Sequence, residues 1–157
     1  MKTMAVRNIF LETDEVLRKK SRPVEKFDQK LWDMLDDMRE TMEDANGVGL
    51  AAPQIGILRQ AVVIDVGEGL YEMINPKIVH ESRETQNDAE GCLSSPGEYG
   101  MVERPMEVRV EYQDRNGKLC STRAEGLFAR AICHECDHLV GRLFKDLATE
   151  MLEPDEE

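Results

Sequence analysis

The chain has 157 residues, 41% of them hydrophobic, and its 32 acidic residues outnumber the 20 basic ones, which gives a net charge of −12. This length and composition are typical of one globular domain with its own core, and the negative charge disfavours sequence-independent binding to nucleic acid phosphates. The sequence has no apolar run of the roughly 20 residues that a membrane helix needs and no secretory leader pattern, so we expect a soluble, cytoplasmic protein.

The first half of the chain predicts a helix followed by two strands. Asp28 is placed to cap the helix, and residues 46–47 (Asn-Gly) are placed to end it. Between them the apolar side chains recur every three or four residues and form one core-facing stripe: Leu31, Leu35, Met38 and Met42. Residues 61–66 and 73–79 are rich in β-branched and apolar side chains and favour strands.

The second half predicts a hairpin and a second helix. Residues 106–112 alternate apolar and charged side chains, and the turn at 114–117 leads into a strand at 118–122, so one face of this sheet is expected to contact water. Beyond Gly126 the apolar period becomes helical, and Gly141 is placed to end that helix. The acidic end offers little to bury, so we expect a folded region over residues 1–147 and a mobile tail over 148–157.

The second helix contains the pattern His-Glu-x-x-His at residues 134–138. Side chains four residues apart lie on successive turns, so His134 and His138 can bind one cation while Glu135 flanks it as a base. Two buried or solvated histidines would give the same short pattern. A third ligand is therefore needed to identify a catalytic metal site.

Few residues are candidates for this third ligand. A histidine three residues after Gly141 would extend the pattern to that of one group of zinc peptidases, but this position holds Phe144. Glu150 and Glu153 lie in the predicted tail. His80 and the cysteines are left, and Cys92 stands out because the small residues around it, at 90–97, would let backbone and thiolate approach a metal.

Three segments in chain order resemble the three signature motifs of the peptide deformylase family: residues 47–54 (GVGLAAPQ), 90–94 (EGCLS) and 134–138 (HECDH). The similarity extends over about residues 1–147, with mild departures from the usual motif surroundings at Ser95 and Cys133. The resemblance implies a single-domain α+β fold, with short antiparallel sheets around the central metal-binding helix and the other helix packed outside. It also implies hydrolysis of the formyl group from the N-terminal N-formylmethionine of newly synthesised polypeptides.

By this resemblance, Cys92, His134 and His138 hold the metal, with water in the fourth position. The family implies Fe²⁺ as the native ion, and Zn²⁺, Ni²⁺ or Co²⁺ fit the same donors, since one sulfur and two nitrogens do not choose among them. The resemblance makes Glu135 the proton carrier. It makes the Gln54 side-chain amide and the Leu93 backbone N–H the donors to the oxyanion that forms during hydrolysis.

The substrate peptide is expected to add as a strand along Val48, Gly49 and Gly91, because glycine allows the backbone to approach closely. Gly47 would equally serve to cap the preceding helix. The methionine side chain is expected to enter an apolar pocket on the stripe that leads to the metal. Its candidate lining residues are Val48, Leu127, Ala131 and the His134 ring, and Leu127 is equally suited to the core.

Two further features have competing interpretations. Cys133 and Cys136 form a C-x-x-C pattern, but Cys136 lies about 200° around the helix from His134 and cannot join the same metal. We expect both thiols to be packing residues rather than a redox pair or a second metal site. Similar proteins suggest that Arg104 pairs with Asp137 behind the metal, whereas a surface ion pair would leave Arg104 exposed.

Two other functions agree with part of the sequence. A zinc peptidase with the His-Glu-x-x-His pattern would cleave internal peptide bonds and tolerate loss of Cys92, and a non-catalytic metal-stabilised module would close its site with a fourth protein ligand. Some relatives dock on the ribosome through a basic terminal helix, but residues 149–157 are acidic. We therefore expect transient proximity to the ribosome without direct nucleic acid binding.

Overall fold

The structure is a computed structural model that describes residues 5–153. It has the predicted α+β fold, in which every pairing between its strands is antiparallel. The helices are α1 (Gln29–Asp44), α2 (Leu127–His138) and the short α3 (Phe144–Leu147). The strands are β1 (Gly49–Ala51), β2 (Ala61–Ile64), β3 (Tyr71–Glu81), β4 (Thr85–Cys92), β5 (Ser95–Pro105), β6 (Glu107–Gln113), β7 (Leu119–Glu125) and β8 (Glu150–Met151).

The strands form two sheets. The larger sheet has the order β1-β2-β3-β6-β7, and the smaller has the order β4-β5-β8. The helix α2 contacts β1, β2, β3 and β7 of the larger sheet and β5 of the smaller one. This helix therefore lies between the two sheets, as the resemblance implied, and most of its side chains are buried.

Helix α1 forms as the sequence predicts. The Asp28 carboxylate accepts a hydrogen bond from the Leu31 N–H at 3.2 Å, which is the expected N-cap contact. Its apolar stripe packs against one face of β2, through Ala61 and Val63, while Val62 and Ile64 face the core that contains α2. Because both faces of β2 are covered, the strand is apolar throughout rather than alternating.

Part of the fold was not predicted. The hairpin of β4 and β5 pairs over its whole length, from Thr85 with Pro105 to Gly91 with Tyr99, and a register shift follows at Cys92. Both strands carry many polar residues, so they lack the β-branched enrichment that marks strands elsewhere in this chain. This hairpin positions Cys92.

The segment expected to be a mobile tail is partly structured. Within it, β8 pairs with β5 through Gly100 and Met151, and the Leu152 N–H donates to the Tyr99 carbonyl at 2.8 Å. Residues 154–157 of the predicted tail lie outside the described residues. None of the helices in residues 5–153 is both long and apolar enough to cross a bilayer.

The packing of α1 predicts a measurable stability effect. Leu35 is fully buried in the cluster between α1 and the larger sheet. Leu35→Ala is expected to lower the free energy of unfolding by about 2–5 kcal/mol, because it removes apolar contacts and leaves a cavity. Denaturant titration of the metal-loaded protein measures this loss, with the exposed Lys30→Ala as the control on the same helix. An equal midpoint for the two variants would contradict this packing.

Candidate metal centre

Helix α2 brings two histidines to one buried position. His134 and His138 lie on successive turns, both are buried, and their ring centroids are 5.0 Å apart. Burial, together with the charge on His134, lowers the pKa of His138 to about 3. His138 is therefore held as a neutral imidazole, which is the form that binds a metal ion.

The end of β4 supplies a third donor. The Cys92 Sγ lies 3.3 Å from the His138 Nε2, and donor atoms of Cys92, His134 and His138 all lie within 4.8 Å of one another. The three predicted ligands therefore lie together. The tertiary structure brings them together, since the hairpin and the helix are distant in sequence. One thiolate and two imidazoles form a donor set that suits a tetrahedral divalent metal with one position left for another ligand.

The other candidate ligands lie elsewhere. Within residues 5–153, the group that can hold a metal contains Cys92, His134 and His138 and no fourth protein ligand. His80 is exposed on β3, opposite Arg109 of β6. Glu150 is exposed in β8, and Phe144 is buried in the core at the position where the zinc peptidase pattern requires a histidine. A site closed by four protein ligands is thus disfavoured.

The carboxylate of Glu90 orients His134. The His134 Nδ1 lies 2.7 Å from Glu90 Oε2, which leaves Nε2 as the ring nitrogen for a metal. Arg104 donates two further hydrogen bonds to Glu90, at 3.0 and 2.6 Å. Burial alone would raise the pKa of Glu90, but the hydrogen bonds from His134 and Arg104 outweigh it and lower this pKa to about 2. Glu90 is therefore an ionised acceptor for the imidazole.

Arg104 links the hairpin to the metal-binding helix. Its Nη1 donates to Asp137 Oδ2 at 2.8 Å, and the Arg104 side chain is 5% exposed. The predicted pairing of Arg104 with Asp137 is confirmed, and the alternative of an exposed surface pair is wrong. Asp137 lies between the two histidines in sequence, so this contact holds their helix against β5.

Glu135 is buried beside the histidines. Glu135 is 4% exposed, and its side-chain Oε1 has no hydrogen-bond partner among the described residues. Burial raises the pKa of its carboxyl to about 7, against the opposing charge of His134. A carboxyl with such a pKa can both accept and release a proton near neutrality.

Gly49 is required where Glu135 packs. A Cβ added to Gly49 would collide with the Glu135 carboxylate, which lies directly against the β1 backbone. The sequence predicts that glycine lets the backbone be approached closely here. In the structure, the group that approaches the Gly49 backbone is the Glu135 carboxylate. Gly47 lacks room for a Cβ as well, because the Leu93 side chain fills that space, and its N–H donates to the Met42 carbonyl at the end of α1.

Gln54 reaches the metal ligands from a short 3-10 helix, Ala52–Ile55. The Ala51 N–H donates to its Oε1 at 3.0 Å, which fixes the orientation of the buried amide. The amide Nε2 donates to Ser94 Oγ at 3.0 Å and lies 3.5 Å from the Cys92 Sγ. Gln54 thus holds its amide N–H groups beside Cys92 and Ser94.

The residues expected to contact substrate differ in exposure. Val48 is 44% exposed and Leu127 is 55% exposed, so neither is a core residue, whereas Ala131 is buried on α2. Gly91 lies beneath the Tyr99 ring. Among the predicted pocket residues, Leu127 also lines a cleft of about 480 Å³ at the start of α2, together with Val66, Tyr71 and Phe128.

Both cysteines of the C-x-x-C pair pack in the core around α2. Cys133 is buried in the core around α2, and Cys136 packs against the same cluster. Burial raises the pKa of the Cys133 thiol to about 12, so it is protonated at neutral pH. Within residues 5–153, the group that could hold a metal ion includes neither Cys133 nor Cys136.

Sequence reasoning gave no role to Glu90, Ser94 or Arg130. Glu90 lies two residues before Cys92 on a strand, so both side chains share a face, and this spacing is a signal that could have found it. Arg130 lies one turn before His134 on a helix face that is otherwise apolar. Such a charge needs a buried partner, but the sequence does not indicate which residue this is.

Comparison with known proteins gives consistent results. A family model described as polypeptide deformylase matches residues 6–153. Peptide deformylase from Caldicellulosiruptor bescii is 57% identical over 143 residues, covering 91% of this chain and 86% of that protein. The one from Thermoanaerobacter pseudethanolicus is 54% identical over 153 residues, covering 98% and 96%. The crystal structure of peptide deformylase from Thermotoga maritima has a TM-score of 0.90 at 42% identity, covering 92% of this chain and 98% of that one.

The contact between Glu90 and His134 predicts an effect on metal affinity. Glu90→Gln replaces an ionised acceptor by a neutral amide, so the imidazole becomes a weaker ligand and its orientation loosens. We expect the dissociation constant for Zn²⁺ to rise about 10–100-fold, measured by competition with a chromophoric chelator. The exposed Glu103→Gln on β5 is the control and should bind like wild type. Equal affinities in all three proteins would remove this role from Glu90.

Proposed function

The chain belongs to the polypeptide deformylase family, whose members remove the formyl group from the N-terminal N-formylmethionine of newly made polypeptides, and we propose which of its residues perform this reaction. Cys92, His134 and His138 hold the metal, Glu135 carries the proton, and Gln54 with Leu93 stabilises the oxyanion. The observation that carries the proposal is the convergence of three donor atoms within 4.8 Å, next to a buried carboxyl that is not one of them.

The donor set fits a divalent transition metal. We propose Fe²⁺ as the ion, and Zn²⁺, Ni²⁺ and Co²⁺ are compatible with the same sulfur and nitrogen ligands. When bound, the metal acts as a Lewis acid that polarises the formyl carbonyl and makes water a better nucleophile near neutral pH. Glu90 fixes the orientation of the His134 ring, and burial keeps His138 in the neutral form that ligation requires.

Glu135 is suited to move the proton. Its carboxyl lies beside the histidines but its donor atoms are outside the ligand group, so it remains available as a base. Amide hydrolysis requires one proton to leave the attacking water and one to reach the departing amine. A single carboxyl with a pKa of about 7 can perform both transfers in turn.

We assign the stabilisation of developing charge to Gln54 and Leu93. The Gln54 amide is held by the Ala51 N–H, so its Nε2 points toward Ser94 and Cys92 without free rotation. Leu93 follows Cys92 directly, so its backbone N–H is close to the same ligand. Donors that are already oriented stabilise a tetrahedral oxyanion without a reorganisation cost during the reaction.

The substrate has two strand edges available. In the larger sheet β1 pairs only with β2, and in the smaller sheet β4 pairs only with β5, so each presents an open edge within the described residues. Gly49 lies on β1 and Gly91 on β4. A peptide added along Val48, Gly49 and Gly91 would be recognised through its main chain, which suits an enzyme that acts on many different polypeptides. Leu127 and Ala131 are the proposed contacts for the methionine side chain.

We also propose a cytoplasmic location and transient proximity to the ribosome, because the substrate is the N-terminus of a chain in synthesis. The terminal residues do not support docking on ribosomal RNA. Glu150 and Glu153 are acidic and exposed, and β8 pairs with β5 instead of extending as a helix. Electrostatic repulsion from phosphates would oppose contact through this segment.

Glu135→Ala tests the proton carrier. The Fe²⁺-loaded variant is expected to lose about 10²–10⁴-fold in kcat on a formyl-Met peptide, since the substitution removes the buried carboxyl that we assign as the proton carrier. Its metal content, measured by mass spectrometry, should equal that of wild type because Glu135 is not a ligand. Glu103→Ala is the control for an exposed carboxylate. A variant that binds metal and retains full turnover would exclude this role, and cleavage of internal peptide bonds by wild type would favour a peptidase.

Gln54→Ala tests the oxyanion donor. We expect kcat to fall about 10²–10³-fold, because the lost donor acts on charge that develops in the transition state. The KM for the formyl-Met peptide should change much less, since the ground-state carbonyl carries little charge. Steady-state kinetics of the two Fe²⁺-loaded proteins separate these constants. A rise in KM at unchanged kcat would assign Gln54 to substrate binding instead.

A further inference from the structure

Arg130 carries a buried positive charge on the helix that binds the metal. Its side chain is 6% exposed and lies on α2, one turn before His134. A guanidinium keeps its charge at any physiological pH, so its burial is costly unless acceptors surround it. An apolar residue could pack against the hairpin at this position. The presence of a buried arginine here therefore requires a structural explanation.

The acceptors of Arg130 come from both strands of the β4–β5 hairpin. Nη1 donates to Glu90 Oε1 at 2.9 Å and to the Val102 carbonyl at 2.9 Å, and Nη2 is 3.3 Å from the Gln86 carbonyl. Gln86 and Glu90 belong to β4, whereas Val102 belongs to β5. One planar side chain thus joins α2 to both strands at once.

This contact has a direct geometric relation to the metal ligands. Cys92 is the last residue of β4, and Arg130 is hydrogen-bonded to this strand. His134 lies one turn after Arg130 on α2. The hairpin and helix also meet through Glu90 with His134 and through Arg104 with Asp137. Arg130 makes its contact on the side nearer the start of α2, where the Gln86 Nε2 also donates to the Gly126 carbonyl at 2.7 Å, and it joins the helix to both strands on that side.

We propose that Arg130 is a positioning residue of the metal centre, which fixes the hairpin against α2 so that the Cys92 Sγ stays within ligating distance of the two imidazoles. It acts through Glu90 and through the two backbone carbonyls, without touching the metal or the substrate. Lysine cannot replace it, because one ammonium does not reproduce the planar fork that reaches three acceptors. This inference rests on the proposed metal centre, so its tests measure metal binding and ligation rather than turnover.

Arg130→Lys is the first test, because it keeps the charge and removes the fork. We expect the dissociation constant for Co²⁺ to rise about 10–100-fold, as for other residues that orient metal ligands. Co²⁺ also reports on the sulfur, since a thiolate ligand gives a charge-transfer absorption in the near ultraviolet. That band should weaken or shift in Arg130→Lys at saturating Co²⁺, because Cys92 is the ligand on the loosened hairpin.

Two controls separate positioning from general loss of stability. Arg142→Lys changes an exposed arginine that contacts Asp137 at 3.5 Å, just beyond the same helix, and should keep both affinity and spectrum. Leu35→Ala lowers stability from a core on the other side of the larger sheet and should keep the spectrum at saturating metal. A general stability effect would instead move Arg130→Lys and Leu35→Ala alike, and this result would overturn the proposal.

A wild-type measurement keeps the proposal testable if Arg130→Lys fails to fold. Nitrogen-15 NMR of the arginine side chains distinguishes a guanidinium held by three acceptors, which gives separate Nη–H signals, from one that rotates freely and gives averaged signals. We expect separate signals for Arg130 and averaged ones for Arg142. Averaged signals for Arg130, or wild-type Co²⁺ affinity and spectrum in Arg130→Lys, would overturn the positioning role. Failure of the wild-type chain to bind Co²⁺ would contradict the proposed metal centre itself.

Discussion

The site depends on one buried carboxylate, that of Glu90. It accepts hydrogen bonds from Arg104, Arg130 and His134, which come from β5 and from two successive turns of α2. Charged groups are costly to bury alone, and in this set the two arginines are paired with the carboxylates of Glu90 and Asp137. The chain can place α2 between its sheets because this set neutralises the charges that the helix carries inward. The same contacts hold Cys92 and the histidines in one place.

Burial of α2 also determines the chemistry of the residues beside the ligands. The low polarity of the site keeps His138 neutral and raises the pKa of Glu135, so one helix carries a neutral imidazole and a carboxyl that titrates near neutrality. Glu135 is surrounded closely enough that β1 has room only for Gly49. The carboxyl is thereby confined beside the metal ligands, and a larger residue on β1 would displace it. The close packing around Glu135 thus both restricts position 49 to glycine and contributes to the burial that raises the pKa of the carboxyl.

The two sheets have separate tasks around this helix. The larger sheet supports α2 from a core that α1 covers on its other face, so its strands are apolar on both sides near β2. The smaller sheet contributes few apolar residues and instead supplies Cys92, Glu90 and Arg104. Gln54 and Ser94 connect the two, since their side chains form a hydrogen bond between the 3-10 helix and the turn after Cys92. A stable core and a polar site are therefore combined around one helix, with Ala131 belonging to both.

The sequence by itself determined the elements whose side chains follow a regular period: α1 with its Asp28 cap, the strands β2, β3, β6 and β7, and α2 with both histidines on one stripe. It also predicted Cys92 as a metal ligand, which the structure places with both histidines, and made Glu135 and Gln54 candidate site residues through motifs that resemble those of a known family. Only the tertiary structure decided the β4–β5 hairpin, the contacts of Glu90 and Arg130, and the requirement for Gly49. These features join residues that are far apart in the chain, such as Glu90 and His134, which are 44 positions apart, and local periodicity contains no information about which distant groups will meet.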